Sequence, residues 1–403
     1  MKTPGFDTLA QIFAPLELSE FTGRYWKREA LHLARKDPDY YSDLFTLADL
    51  DQLIVQSRLT WQDLRVTSKD TGVDYQTLHA MDRPQGPDVS FLHNAYSNGR
   101  SIIIALRRLW PQIDRLCRSV ERSFRLHGSA ELYLTPPNSQ AFDIHYDMHD
   151  VLLLQLDGKK TWSVYEPVEE SVSLLSPGSR MCADRVGQPS LVCELKKGDL
   201  LYIPCGFPHQ GLTSDERSLH ITIGIEANLR IHDLLSAMIR VAAAENPVFR
   251  QPLFGAYADR TTAGVDAQAV NACLDALRND SVMDRAMALI EDEFFASLDP
   301  IPDGQFNMLD NIKSIGTATR IAHARDQFCE VHVNGDTVEL RFVGGRVGGP
   351  RWLEAQLRWV AATPEFRPAD LPGGLSDDFK LSFVRRLLRK GFLRFADEAV
   401  TNG

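Results

Sequence analysis

The six cysteines (Cys117, Cys182, Cys193, Cys205, Cys273 and Cys329) form no C-x-x-C pair. That argues against a zinc ribbon and against a disulfide framework. No apolar run approaches the length of a membrane span. The opening MKTPGFDTLAQIF lacks the charged, apolar, small-residue order of a secretory signal, so cytoplasm is the expected location. Positive charge is also short: 44 Lys and Arg stand against 54 Asp and Glu, a net charge of -10. Such a chain does not condense on a phosphate backbone through its overall field, whereas a basic protein or peptide would be drawn towards it. At 403 residues the chain exceeds one compact core, and two or three domains are expected.

The chemistry is concentrated in residues 141–167, AFDIHYDMHDVLLLQLDGKKTWSVYEP, and residues 198–210, GDLLYIPCGFPHQ. Read as one end of a strand, His145 and Asp147 share a face while Tyr146 takes the other. A buried Asp beside a buried His is costly unless it is paired or bound to metal, and the apolar run Val151, Leu152, Leu153, Leu154 sets the pair at the edge of a core. Leu200, Leu201, Tyr202 and Ile203 form a second short strand, and His209 follows its end, where ligands are commonly mounted. Two imidazoles and one carboxylate on three corners of a metal leave the opposite face open, the ligand set of non-haem Fe(II) oxygenases. His149 falls on the same face if the strand is regular. A fourth protein ligand would close the open face, so His149 is read as a pocket or surface residue. His220 is read as a satisfied core histidine, although its alternation could turn it into the barrel. Cys205, close to His209 in sequence, is read as a buried free thiol rather than a pocket residue.

Residues 131–167, ELYLTPPNSQAFDIHYDMHDVLLLQLDGKKTWSVYEP, together with GDLLYIPCGFPHQ and SLHITIGI at 218–225, resemble the JmjC-type 2-oxoglutarate oxygenases. Within them the likeness is to the bacterial members of the ribosomal oxygenase branch, which hydroxylate side chains of ribosomal proteins. The resemblance implies Fe(II) held by His145, Asp147 and His209, and 2-oxoglutarate as co-substrate with O2. It places Lys160, in a turn DGKK before Trp162, where a basic residue pairs with the distal carboxylate of 2-oxoglutarate. An ammonium suits a lone carboxylate in a largely apolar pocket, while Lys159 reads as a solvated turn residue. Tyr133 is similar to a tyrosine that lines the co-substrate pocket, though a strand tyrosine also serves simply as core. Two positions depart from the pattern. Glu131 stands where relatives commonly carry Asn, and Gly224 stands where a serine often helps hold the co-substrate.

The expected fold class is α+β. Short strands between Pro-Pro-Asn, Asp-Gly, Ser-Pro-Gly and Lys-Gly-Asp turns suggest a barrel or jelly roll, and the resemblance specifies a double-stranded β-helix (cupin) core. The expected domains are a JmjC catalytic domain at 1–228, with core strands about 131–225, a helical dimerisation segment at 229–300 and a winged-helix-like domain at 301–403. Before the barrel, YWKREALHL at 25–33 resembles the family's entry strand, and FTLADLDQLIVQS from Phe45 reads as an amphipathic helix with Thr46 as N-cap. Residues 102–124 start extended and become a helix whose arginines read as a solvated face. Residues 81–88 and 169–188 read as substrate-choosing loops. After the barrel, three stretches with apolar residues at three- and four-residue spacing read as helices. The implied role of those helices is a homodimer, and the alternative is a layer packed on the barrel. In the last section, an Asn-Gly hairpin at 327–348 and two helices resemble a winged helix. Over residues 303–398 there are 14 Lys and Arg against 13 Asp and Glu, so no basic face is evident, direct DNA binding is not expected and protein docking is preferred.

The expectation for function is therefore a 2-oxoglutarate- and Fe(II)-dependent hydroxylase of an arginine- or histidine-type side chain in a basic ribosomal protein. Three alternatives stay open. One is the same iron chemistry on another peptide or a tRNA base. Another is methyl-lysine demethylation. The third is a non-catalytic metal-binding barrel that serves as a docking module.

Overall fold

Alternation along two paired strands builds the floor of the first unit. In β4 (Gly128–Thr135), Ala130, Leu132 and Leu134 are buried on one face, while Ser129, Glu131, Tyr133 and Thr135 take the other. The antiparallel partner β9 (Ser218–Glu226) continues both faces. Register sets Ser129 opposite Gly224, Glu131 opposite Thr222, Tyr133 opposite His220 and Thr135 opposite Ser218. The apolar face, with Leu219, Ile221, Ile223 and Ile225, packs into the main core. The polar face looks into the barrel. Burying each such aliphatic side chain stabilises the fold by roughly 1.5–3 kcal/mol.

This computed structural model describes residues 8–69, 85–172, 176, 182–226, 229–252, 266–300 and 303–396. The chain divides into two units, Met1–Asn228 and Leu229–Gly403. In the first, the large sheet has the order β1-β7-β5-β9-β4-β3-β2, where β1 is Leu31–Leu33, β2 Leu64–Thr67, β3 Ser101–Ala105, β5 His149–Val164 and β7 Leu200–Ile203. The entry strand β1 pairs with β7 and sets Leu31 opposite Tyr202, as the resemblance implied. Strand β5 serves two sheets. Its first half pairs with β7 and β9, and its second half pairs with β6 (Leu191–Lys196) and β8 (His209–Leu212). Between these sheets lies a dry interior of Val151, Leu153, Trp162, Val164, Leu195, Leu201 and Ile203. The cupin-like architecture expected from the sequence is therefore present.

The Asp157-Gly158-Lys159-Lys160 stretch, expected as a turn, is a bend inside β5. The register shifts between Gln155 and Asp157, and Gly158 has φ +63° with the Arg217 carbonyl so close that no side chain fits. Only glycine takes that conformation without strain. The bend carries the strand from one sheet to the other and leaves Lys160 in a strand, facing inward, while Lys159 turns out to Glu216 at 3.0 Å.

The outer face of the large sheet is covered by helices. That at Leu47–Gln56 begins as expected: Thr46 Oγ1 accepts from the Asp49 N–H at 3.2 Å, and the Asp49 carboxylate accepts from the Thr46 N–H at 2.8 Å. The helix Pro111–Phe124 corrects an expectation. Arg118 is 1 % exposed and pairs with the fully buried Glu121 at 2.8 Å. A buried carboxylate demands such a partner, so this arginine is core rather than solvated face. Of the loop expected at 81–88, residues 81–84 lie outside the described residues. Asp88 accepts from the Phe91 N–H at 2.6 Å and caps the helix Val89–Ser97. Residues 173–175 and 177–181 of the loop expected at 169–188 also lie outside them.

In the second unit the three patterned stretches form helices at Ile231–Glu245, Ala267–Leu277 and Asp280–Ser297. Ala237, Met238, Ala242, Val282 and Ala286 pack the first of these helices against the third. The hairpin is present as β11 (Cys329–Asn334) and β12 (Thr337–Phe342), turning at Gly335 with φ +55°. A third strand, β13 (Gly345–Pro350), extends that sheet. A separate three-stranded sheet forms around Ile321–His323, and helices Glu354–Ala362 and Asp377–Arg389 complete the core with Leu340, Phe342, Leu357, Leu387 and Phe392. Among the described residues no helix is long and apolar enough to cross a membrane.

Candidate metal centre and adjoining pockets

His145, Asp147 and His209 come together with their ligand atoms within 4.8 Å of one another. The sequence argument for their convergence needs correction. His145 and Asp147 do not lie in a strand, since β5 begins at His149. His145 forms an isolated antiparallel bridge with His209, with the two backbones exchanging hydrogen bonds of 2.8 and 3.3 Å. The Asp147 carbonyl accepts from the Gly206 N–H at 2.9 Å. A backbone bridge, rather than side-chain alternation, therefore sets the two imidazoles side by side at 4.7 Å between ring centres.

Both rings are oriented in the same way. His145 Nδ1 lies 2.8 Å from the Asp143 carbonyl and His209 Nδ1 3.0 Å from the Phe207 carbonyl, in each case two residues upstream. A carbonyl only accepts, so Nδ1 carries a proton in each ring and Nε2 is the atom left to face a metal. His209 Nε2 points at Asp147 Oδ2 at 3.6 Å. Burial, and then the neighbouring His145, hold the His209 imidazole well below its usual pKa and hence neutral. Neutral imidazoles with Nδ1–H fixed to carbonyls are the form in which histidine binds a metal, and such outer partners fix the tautomer. The donor set fits a divalent cation with open positions. Asp143 and Phe207 act through main-chain carbonyls, so no side-chain pattern could have revealed them.

Two cavities meet at this centre. A narrow one of about 40 Å³ is lined by Tyr133, Lys160, Trp162, His209, Gly211 and His220 among others. Lys160 is 2 % exposed. Its ammonium donates to Thr135 Oγ1 at 3.2 Å and sits 5.1 Å from the Trp162 ring centre. Among the described residues no carboxylate pairs with it, and burial alone pushes its pKa down to about 7. An ammonium kept dry without a counter-charge is costly, so the pocket could hold an incoming anion. Thr135 was missed by the sequence reading. It shares a strand face with Tyr133 two residues earlier, and that alternation could have found it.

The wider cleft, of about 820 Å³, opens over His145 and Asp147 and is lined by Arg65, Ser129, Glu131, Tyr133, His149 and Gly224 among others. Both departures from the family pattern fall here rather than beside Lys160. Glu131 accepts from the Tyr133 hydroxyl at 2.7 Å and from Arg65 Nη2 at 2.9 and 3.1 Å. The Tyr133 phenol, raised well above its usual pKa by burial and by Glu131, remains a donor. Tyr133 thus lines both cavities, but its hydroxyl is turned to Glu131. A β-carbon on Gly224 would meet Ser129 Oγ at 2.4 Å, so the hydroxyl of the opposing strand fills the space a side chain there would take. His149 lies on the cleft wall, as read. Cys205 is half-buried and packs with Tyr146, Val172 and Cys182, outside both cavities.

Residues 104–232 match the family model of the JmjC domain. Ribosomal oxygenase 1 of Homo sapiens is 33% identical over 253 residues, covering 60% of this chain and 38% of that protein. The bifunctional lysine-specific demethylase and histidyl-hydroxylase NO66 of Drosophila mojavensis is 32% identical over 232 residues, 57% of this chain and 26% of the other. The chain thus spans well under half the length of these curated relatives. Among solved structures, Escherichia coli ycfD has a TM-score of 0.57 at 18% identity, covering 94% of this chain and 98% of that one. The YcfD ribosomal oxygenase in complex with cobalt and 2-oxoglutarate has a TM-score of 0.56 at 19% identity, covering 95% and 99%. At these identities the likeness to the solved structures is one of fold.

Proposed function

We propose that this JmjC-domain protein is a 2-oxoglutarate- and Fe(II)-dependent hydroxylase acting on an arginine- or histidine-type side chain of a ribosomal protein. The observation that carries the reading is the three-ligand centre where two cavities meet. The narrow one holds a buried Lys160 that no carboxylate among the described residues pairs with, and the cleft over His145 and Asp147 is wide enough for a protein side chain. His145, Asp147 and His209 would hold the metal on one face. Fe(II) with 2-oxoglutarate and O2, when bound, supplies the oxidising power that places oxygen on an unactivated C–H bond. The protein's own part is positional. The Asp143 and Phe207 carbonyls hold both imidazoles in place through Nδ1, and burial keeps His209 neutral. Lys160 takes the remote carboxylate of the co-substrate, Tyr133 lines the wall between the cavities, and Val151 and Leu153 keep water from the pocket. The net charge of -10 suits a basic ribosomal protein as partner. The names of the curated relatives, ribosomal oxygenase and histidyl-hydroxylase, support the same reading.

The test is the intact mass of every ribosomal protein from cells with the gene, without it, and rescued by wild type or His145→Ala. One protein heavier by one oxygen atom only with an intact centre is the expected result; unchanged masses throughout would remove the ribosomal substrate. A second reading, methyl-lysine demethylation, is favoured by the other half of the NO66 name. It requires formaldehyde in step with succinate, whereas hydroxylation releases none.

Gly211 yields a further expected result. In β8 it sits opposite Trp162, and a β-carbon there would come 2.8 Å from Lys160 Cε and 3.0 Å from the Trp162 ring. Gly211→Ala should displace the ammonium and weaken 2-oxoglutarate binding by about tenfold, one hydrogen bond to a charged group, with little effect on Mn(II) affinity. Calorimetry on the metal-loaded protein checks both.

For the second unit the reading is a homodimer formed by the helices of residues 229–300 and a winged-helix-like unit at 301–403 that docks protein, in a cytoplasmic enzyme. Support for the dimer is the apolar surface of the first helix, where Ile231 is 74% exposed and Leu235 and Ile239 nearly half exposed. Contiguous apolar exposure marks association. Leu235→Glu should halve the mass measured by light scattering, and an unchanged mass would locate the interface elsewhere.

A further inference from the structure

Lys160 shares the narrow pocket with two polar groups whose hydrogen bonds are unmet. His220 Nδ1 and Trp162 Nε1 find no hydrogen-bond partner within the described residues, although the residues are 1 % and 7 % exposed. Both line the same pocket as Lys160. Their planes are fixed. The His220 ring stacks on Tyr133 at 4.9 Å and 6°, and meets Trp162 edge-on at 5.7 Å. The expectation that His220 is a satisfied core histidine is therefore not met. Burial, and then the charge of Lys160, hold its imidazole well below the usual pKa and hence neutral, with one N–H to give. Buried polar groups left without a partner are rare, and each calls for an explanation such as a ligand.

A carboxylate supplies the match. It offers about four acceptor sites, and a single lysine, a point charge already bonded to Thr135, leaves most of them unanswered. A carboxylate buried in a dry pocket is stable only when its remaining lone pairs also find donors. On the reading of this pocket as the co-substrate site, we propose that His220 and Trp162 are positioning residues that complete, with Lys160, a three-donor cradle for the remote carboxylate of 2-oxoglutarate. The indole N–H can only donate, so it calls for an acceptor, and beside the charged Lys160 a carboxylate with its several lone pairs answers all three donors. On that same reading the 2-oxo acid end would bind at the metal, so the cradle would discriminate between dicarboxylates and monocarboxylic 2-oxo acids.

The experiment measures binding to the Mn(II)-loaded full-length protein by calorimetry for 2-oxoglutarate and for pyruvate, which lacks the remote carboxylate. His220→Phe keeps the stack on Tyr133 and removes the donor; His220→Asn restores a donor; Trp162→Phe removes the indole N–H. The proposal expects 2-oxoglutarate to bind His220→Phe and Trp162→Phe each roughly tenfold or more weakly, as for a lost hydrogen bond to a charged group. Pyruvate affinity should be unchanged, and His220→Asn should regain most of the loss. In turnover, KM for 2-oxoglutarate should rise while kcat at saturation holds. A folded His220→Phe that binds 2-oxoglutarate like wild type overturns the cradle and leaves the proposed function standing. Equal losses for 2-oxoglutarate and pyruvate also overturn it, since they indicate a merely structural ring. Should His220→Phe fail to fold, His220→Asn and Trp162→Phe decide by the same ratio. Wild type that binds neither acid with metal present would bring down the proposed function and the cradle with it.

Discussion

Replacing His145 by alanine should abolish the proposed hydroxylation while leaving the fold in place. The bridge to His209 is made by backbone groups that alanine keeps, and His145 is only partly buried, so no large cavity opens. What is lost is one of three donors whose tautomer is fixed by the Asp143 carbonyl. Disturbing only an outer partner of a ligand typically costs 10–100-fold in metal affinity or activity, so losing the ligand itself should cost more than about 100-fold. The check has two parts. Mn(II) should raise the melting temperature of wild type and not of His145→Ala, because a metal bound only by the folded state stabilises it by mass action. Ribosomal proteins from cells rescued with His145→Ala should have the masses of the deletion strain. A variant that keeps the cellular effect of the wild-type gene without adding oxygen to any ribosomal protein would favour the docking-module alternative.

Lys160→Met should have two large effects of opposite benefit. Without ligand, burial holds the Lys160 pKa at about 7 against an ordinary 10.5. Between these values the unfolded chain binds more protons than the folded one, so the stability of the ligand-free protein rises with pH across this window. Below about pH 7 the full penalty of a dry ammonium is present. The gap corresponds to at most roughly 5 kcal/mol. Methionine has a similar shape and no charge, so the ligand-free variant should be more stable than wild type, most of all at low pH, with the difference fading towards pH 10. Binding moves the other way. A bound carboxylate favours the charged lysine, so wild type takes up close to one proton with 2-oxoglutarate above pH 7, and affinity falls there by up to about tenfold per pH unit. Around the same pocket stand Tyr133 from β4, His220 from β9, His209 from β8, and His145 and Asp147 before β5. The proton assigned to Lys160 is therefore the one that disappears in Lys160→Met. Calorimetry in buffers of different ionisation enthalpy counts it, and an equal proton count in both proteins would show that Lys160 is not the group that titrates. A variant less stable than wild type at pH 6 would show that the ammonium is already paired.

Helix positions were legible wherever a local rule fixed them. Thr46 and Asp49 form a reciprocal cap because both partners lie within one turn, and the Asn334-Gly335 turn appears where a positive φ is needed. The site was legible as a set of residues but not as an arrangement. The alternation invoked for His145 and Asp147 does not operate, because those residues precede the strand and are aligned by a long-range bridge to His209. Asp157-Gly158 looked like a turn because the same two residues serve a hairpin and a strand bend. The distinction lies in the Arg217 carbonyl pressed against Gly158, which no local rule contains. Arg118 and His220 were misjudged because burial is not a local property. The i+3 partner Glu121 was in view, but that both it and Arg118 lie inside the core was not. Neither was the lack of a hydrogen-bond partner for His220 Nδ1 among the described residues.

By itself the sequence determined the candidate ligand types, the patterned helices and a barrel or jelly-roll class, which the family resemblance narrowed to cupin-like, since donor chemistry and apolar periodicity belong to the residues and their spacing. Tertiary structure alone decided that Lys160 is buried with no carboxylate partner among the described residues, that Tyr133 turns to Glu131, and that Glu131 and Gly224 shape the outer cleft rather than the narrow pocket. These are properties of what surrounds a side chain. Strand register and burial set those surroundings across most of the first unit, beyond the reach of any local reading.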